Sequence, residues 1–336
     1  MKKNKNKSKS KDNFNEEREK DIWAITCLFN PFRSKARYTN YIIFQRQLRA
    51  SGCKLLTIEL SLPSQEYELY QTDCDYLIQI KHQQCLWQKE ALLNIGLKKI
   101  PSDVEIVCWI DADIILLDTK WLKELRIKMK TYNAVHLFHE MFYLPKEISL
   151  ALTVDATNGI YRVPDKSHSP EHNYKRQHIL DIDNLNRKLY QKLRLTPTQG
   201  SVSIYQNTQK GKFINGKWGF GWAIKRDILD RVGGFYPHCI VGGGDTIFFN
   251  AVFWNKLHEK FKDRYSSHQI DDIEDYIDRL YDQVHGSKDD TDKNRGNKKI
   301  SYLNVPMCHL WHGSFKQRQY FDRYQILKVG NFNPYI

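Results

Sequence analysis

Val104-Glu105-Ile106-Val107-Cys108-Trp109-Ile110 runs directly into Asp111-Ala112-Asp113. A short, nearly continuous apolar run reads as a strand buried on both faces, the kind found in parallel sheets. Side chains two apart on extended chain point the same way, so Asp111 and Asp113 share one side at the strand's carboxyl end. Open α/β sheets bind their ligands at that end. Carboxylates left unpaired there are costly, and a divalent cation compensates them and can also grip the phosphates of a nucleotide. The alternative is a pair of surface aspartates that cap the next helix.

Working outward, Ile22 to Phe29 is a second buried strand, broken by Asn30-Pro31. Arg33, Lys35 and Arg37 follow at spacing two, either to meet a diphosphate or as a solvated basic turn. A helix is expected from Thr39 to Ser51, ended by Gly52, and a strand over 54–60. Strand, helix, strand is the opening unit of a parallel α/β sheet. Further strands are expected over 77–80 and 134–138. A helix spans Gln88 to Lys99, with Ala91, Leu92, Ile95 and Leu97 facing the core. Residues 153–216 turn polar, with a weak helix near 180–193, and read as an excursion or lid over the sheet. Order returns over 218–224. Helices follow over 226–232, ended by Gly233-Gly234, and over 247–253. A longer one covers 271–284, where Ile273, Ile277, Leu280 and Val284 share a face. The last strand is expected over 300–305.

The chain has 336 residues, 41% hydrophobic and 27% charged, enough to bury a real core. No apolar run is long enough to span a membrane, and no signal peptide is expected. The formal charge is +13, and six of the lysines lie within residues 2–11, so the remainder is only moderately basic. Residues 1–20 are expected to be a disordered basic tail, with at most peripheral attachment to an anionic membrane. The 7 cysteines are widely spaced and contain no CxxC, which disfavours zinc ribbons and disulfide scaffolds. Buried free thiols in a reducing compartment are expected.

Two more groups carry chemistry. His309 and His312 converge on one metal only where the chain turns, and Pro306 and Gly313 make such a turn plausible. Imidazole with carboxylate suits manganese, zinc or iron better than magnesium alone, and a pair of structural histidines around Trp311 is the alternative. Gly242-Gly243-Gly244-Asp245 lets a ligand approach the backbone closely. Asp245 is then a general base or merely a helix N-cap. The run lacks the GK[ST] ending of a P-loop, and neither GxGxxG after the first strand nor GxSxG occurs. Aromatics are 13% of the chain, Trp218, Trp222 and Trp311 among them, which suits surfaces that stack flat ligands as well as core packing.

Together these blocks resemble glycosyltransferases of the A-type fold, and among them the β-1,4-galactosyltransferase type. Pro31-Phe32-Arg33-Ser34-Lys35 is similar to its "PFRNR" opening, Glu90-Ala91-Leu92-Leu93-Asn94-Ile95-Gly96 to its "AKLLNVG" helix, and Gly242 to Asp245 to its "GGED" loop. His309 and His312 are similar to its late Met and His metal ligands. Gly244 replaces an acidic residue of that type, His309 replaces the Met, and residues 153–216 have no counterpart.

The resemblance implies one α/β domain of Rossmann-like form over 21–336, with a mostly parallel central sheet flanked by helices. Its nucleotide-sugar half is 21–152, the excursion 153–216, and the acceptor half with the late metal ligands 217–336. Asp245 would be the catalytic base. Pro31, Phe32, Arg33, Arg37, Lys89, Asp111, Ala112 and Asp113 would bind the nucleotide-sugar, and Trp218, Trp222, Gly243 and Gly244 the acceptor. Asp111, Asp113, His309 and His312 would hold Mn2+ or Mg2+. The implied partners are a nucleotide-sugar donor, with a UDP-sugar favoured, and a glycan or glycolipid acceptor. Nucleic acid is not expected, and the expected location is cytoplasmic. The alternatives are a non-catalytic nucleotide-sugar or glycan-binding protein on the same fold, and, from charge alone, a nucleic-acid-binding protein.

Overall fold

A computed structural model of the chain describes residues 22–146, 149, 153–155, 160–164, 177–180, 196–203, 216–286, 299–314 and 322–335. The strands are β1 Ile22–Phe29, β2 Lys54–Ser61, β3 Tyr76–Lys81, β4 Ile106–Ile110, β5 Ile114–Leu116, β6 Ala134–His136, β7 Glu140–Tyr143, β8 Thr153–Asp155, β9 Ile160–Pro164, β10 Gln177–Leu180, β11 Thr198–Gln199, β12 Gly221–Lys225, β13 Ile300–Tyr302 and β14 Pro306–His309. The helices are α1 Lys35–Ala50, α2 Lys89–Leu97, α3 Trp121–Met129, α4 Arg226–Val232, α5 Gly244–Trp254, α6 Glu259–Lys262, α7 Ser267–His285 and α8 Gln325–Val329.

The central sheet has the order β13-β6-β12-β4-β1-β2-β3. Its strands pair in parallel except at β12, which runs antiparallel to both β4 and β6. The fold is therefore mixed α/β around a mostly parallel sheet. Strand β4 is buried throughout because strands flank both its edges and helices cover both its faces. Alternate residues of β1 feed two cores. Ile22, Ala24 and Leu28 meet Tyr41, Phe44 and Leu48 of α1 and Trp121 and Leu125 of α3. Ile25, Cys27 and Phe29 join the core formed by Leu92 and Leu97 of α2, Phe248 of α5 and Ile277 of α7. A second sheet, β11-β7-β14-β5, stands beside the carboxyl end of β4, and β10-β9-β8 form a third.

Several sequence expectations need correction. Helix α1 begins at Lys35, ahead of Thr39, because the Ser34 side chain accepts from the Arg37 N–H and caps it. Ile95 is exposed, because Leu92, Leu93, Gly96 and Leu97 form the stripe that faces the sheet. The strand expected over 134–138 ends at His136. The single strand expected over 300–305 is instead β13 followed by β14, because the chain crosses from β6 in the central sheet to β5 and β7 in the second. Within 153–216 the described residues include strands β8 to β11 and a helical stretch at 201–203. The tail 1–20 and, apart from Leu180 in β10, the helix expected near 180–193 lie outside the described residues. All seven cysteines are free, and all but Cys85 are buried.

Helix α2 lies close on the sheet because Gly96 has no side chain. A Cβ there would sit 2.8 Å from Ile58 Cδ1 and 2.9 Å from Ile25 Cγ2. Gly96→Ala should therefore destabilise the protein by about 1–3 kcal/mol through overpacking, despite alanine's better helix propensity. Urea denaturation measures this, and a variant as stable as the wild type would contradict so close a packing.

Candidate active site

Strand β4 delivers the two aspartates. The Asp111 N–H donates to Phe220 O at 2.9 Å, and Thr26 Oγ1 donates to Ile110 O at 2.7 Å, fixing the strand end against β12 and β1. The chain turns at once into β5, which pairs antiparallel with β14 so that Ile114 faces His309. The Leu310 N–H then donates to Asp113 O at 2.7 Å. This pairing joins residues almost two hundred positions apart. Past β14 the chain turns, with Gly313 at φ 128. The Trp311 N–H donates to Ser149 Oγ at 2.7 Å, and Asn40 Nδ2 donates to Trp311 O at 3.1 Å. The turn brings His312 back toward the strand end.

Asp113 Oδ2 lies 3.0 Å from His312 Nε2, and Asp113 Oδ1 lies 3.8 Å from His309 Nε2. One ligand atom from each of the three residues falls within 4.8 Å of the others. His309 is buried against Tyr143 and Phe220, which holds its ring in place. Two imidazoles and a carboxylate, one imidazole on β14 and the other two groups on the turns that follow β4 and β14, fit a first-row divalent metal.

Asp111 turns to a different partner. Its Oδ1 accepts from Lys89 Nζ at 3.1 Å, and the same ammonium donates to Asp245 Oδ2 at 2.9 Å. Burial opposes the Lys89 charge, yet Asp111, Asp245 and Glu90 outweigh it and hold the ammonium well above its ordinary range. Burial also pushes the Asp111 carboxyl upward, against the pull of Lys89. Helix α5 has Gly243 as its N-cap, so Asp245 is a first-turn residue whose side chain goes to Lys89, and it is not the cap. Gly219 lets it come near: a Cβ there would lie 3.1 Å from Asp245 Oδ2.

The glycine run makes room for the chain's own side chains. A Cβ at Gly242 would lie 3.2 Å from Arg323 Nη2 and from Trp87 Cδ1. At Gly243 it would lie 2.6 Å from Tyr324 Oη, and at Gly244 2.0 Å from Glu90 Oε1. Gly242 and Gly243 also have φ of 80° and 108°.

The loop after β1 lies at the same carboxyl end of the sheet as Asp111, since β1 and β4 are parallel neighbours. Pro31 O accepts from Gln65 Nε2 at 2.7 Å. Phe32 is 87% exposed. Arg33 donates to the Glu66 carbonyl and lies 3.8 Å from Glu68, while Arg37 Nη1 donates to Phe29 O at 2.9 Å. Ala112, between the aspartates, is half-buried.

Trp218 is half-buried, stacked on Phe249 at 5.4 Å, with Nε1 donating to Thr246 Oγ1. Trp222 is corrected: it is fully buried between Trp109, His136 and Phe248 and cannot face an acceptor. Sequence reasoning missed three contributors. Arg323 and Tyr324 follow the late metal block with no pattern pointing back to the glycines. Glu90 is a buried acid at the start of a largely apolar helix, and that mismatch was the available signal.

No family model matches the chain, and no curated protein matches it either. Solved structures show a distant likeness. The chain is 11% identical to S. aureus TarS, covering 68% of this chain and 53% of that one, with a TM-score of 0.35. It thus spans about half the length of that protein. A glucosyl-3-phosphoglycerate synthase from Mycobacterium tuberculosis, solved with Mn2+ and uridine diphosphate, is 11% identical, with 94% and 82% covered and a TM-score of 0.42. The catalytic domain of Drosophila beta1,4galactosyltransferase 7, solved with xylobiose, is 10% identical, with 69% and 60% covered and a TM-score of 0.28.

Burial pushes the Glu90 carboxyl from 4.5 up to about 7. The folded state therefore holds this proton to higher pH than the unfolded chain does, and the stabilisation it gives fades as pH rises from about 4.5 to about 7. Metal-free urea midpoints across that window should fall with pH for the wild type, and fall less for Glu90→Gln. Parallel profiles for the two proteins would contradict the shift.

Proposed function

We propose that the chain is a metal-dependent glycosyltransferase. It would move a sugar from a nucleoside-diphosphate sugar, with a UDP-sugar favoured, to a hydroxyl of a glycan, lipid-linked or protein acceptor, with inversion. The observation that carries this reading is the convergence of Asp113, His309 and His312 beside the Asp111–Lys89–Asp245 bridge at the carboxyl end of β4. The order of the four sequence blocks supports it independently.

Asp113, His309 and His312 would hold the metal, with Mn2+ preferred to Mg2+ by their donor set. When bound, a divalent ion supplies neutralising charge for a diphosphate leaving group. Arg33 and Arg37 stand on the donor side, and Asp111 is kept in place by Lys89. Asp245 takes the proton of the acceptor hydroxyl as its oxygen bonds to the anomeric carbon and the bond to the diphosphate breaks. Attack from the face opposite the diphosphate inverts that centre. Trp218, half-buried near Asp245 through Thr246, is the aromatic surface for an acceptor sugar. The protein is proposed to work in the cytoplasm, with residues 1–20 as a peripheral tether at most.

A non-catalytic binder on the same fold is the second reading. The Lys89–Asp245 ion pair at 2.9 Å favours it, since it occupies the proposed base. Turnover separates the two. With UDP-glucose, UDP-galactose and UDP-N-acetylglucosamine, at least one donor should be hydrolysed in Mn2+ and not in excess chelator. Asp245→Asn should cut that turnover by about 10²–10⁴ with donor affinity little changed. Full activity in chelator, near-normal turnover of the Asn variant, or a product of retained configuration would each contradict the mechanism.

A further inference from the structure

Glu90 stands out among the buried polar groups of the described residues. It is 4% exposed, and its Oε2 has no hydrogen-bond partner. A carboxyl in that state is expensive unless something completes it. Its surroundings offer little. The cavity against it is walled by Leu93, Trp109, Phe235 and Phe248. Of the two phenols there, Tyr276 donates to Gly234 O at 3.2 Å, and the Tyr236 hydroxyl is itself buried with no hydrogen-bond partner.

The carboxyl is aimed at the first residue of α5, an 11-residue helix whose N-terminal end favours negative charge and whose second residue is Asp245. Glu90 Oε1 stands where the side chain of residue 244 would begin, 2.0 Å from the position of a Cβ. Only glycine at 244 allows this. Glu90 and Asp245 therefore flank one stretch of bare backbone, and each is linked to Lys89, by chain adjacency and by the ion pair respectively.

We propose that Glu90 is a specificity residue of the acceptor side. Delivered from α2 through the space that Gly244 leaves open, it accepts a hydrogen bond from a hydroxyl next to the one that faces Asp245. The ligand class is a polyol with neighbouring hydroxyls, such as a hexose or pentose ring. This rests on the transferase reading above.

The experiment compares transfer with hydrolysis, in Mn2+, using UDP-glucose, UDP-galactose and UDP-N-acetylglucosamine as donors. The acceptor probes are the methyl glycosides of glucose, galactose, N-acetylglucosamine and xylose, with water as the competing acceptor. The wild type should glycosylate at least one of them. Glu90→Gln keeps the shape and should lower the ratio of transfer to hydrolysis about tenfold or more, without lowering the melting temperature. Glu90→Ala/Gly244→Glu moves the carboxyl to α5 and should restore the ratio, whereas Glu90→Ala/Gly244→Gln should not. Gly244→Glu alone puts two carboxyls in one space and should destabilise the fold. An unchanged ratio in Glu90→Gln, equal rescue by the Gln double variant, or no glycoside able to compete with water would overturn the proposal. Absence of donor hydrolysis in the wild type would instead remove the transferase reading beneath it.

Discussion

The Lys89 ammonium holds the candidate site together. It is buried at the start of α2, yet reaches Asp111 at the end of β4 and Asp245 in the first turn of α5. One cation thus bridges the strand that anchors the first half of the chain to the helix that carries Asp245. The ammonium could not sit so deep without the two carboxylates, since a buried charge that loses its partners costs several kcal/mol, roughly 3–5. The bridge also separates the two aspartates of the Asp-x-Asp box: Asp111 faces Lys89, and Asp113 faces the histidines.

The second constraint is a strand register. Strand β5 leaves Asp113 immediately and pairs with β14, so His309 arrives beside Asp113 through main-chain hydrogen bonds. A slip of one residue would turn His309 to the other face of the sheet and dissolve the trio. Side chains hold the turn beyond it, with Asn40 and Ser149 gripping the backbone of Trp311. The imidazoles are thereby fixed from two directions before any ligand arrives, which reduces what binding must order.

Much of this was legible in the sequence, and the parts that were not share a cause. Runs such as 22–29 and 104–110 are apolar on both faces, and such runs signal central strands without reference to partners. The stripe of Ile273, Ile277, Leu280 and Val284 in α7 is likewise local. Pairing is not local. That β12 runs antiparallel between β4 and β6, and that 300–309 divides between two sheets, depends on contacts no short window contains. The same holds at the site. The carboxylates at 111, 113 and 245 and the two histidines were readable by type and spacing. Trp222 was misplaced because composition cannot tell a stacking surface from a core ring. Glu90 was passed over because the space its carboxyl occupies depends on a missing side chain 154 positions away, at Gly244.

The claim on which everything else rests is that Asp113, His309 and His312 form one metal centre. Electron paramagnetic resonance of Mn2+ titrated into the 336-residue chain tests it directly, with Asp113→Ala and His309→Ala in parallel. One bound ion per wild-type chain is expected, with loss of that binding in both variants and folding intact by circular dichroism. Unchanged Mn2+ binding in either well-folded variant would contradict it.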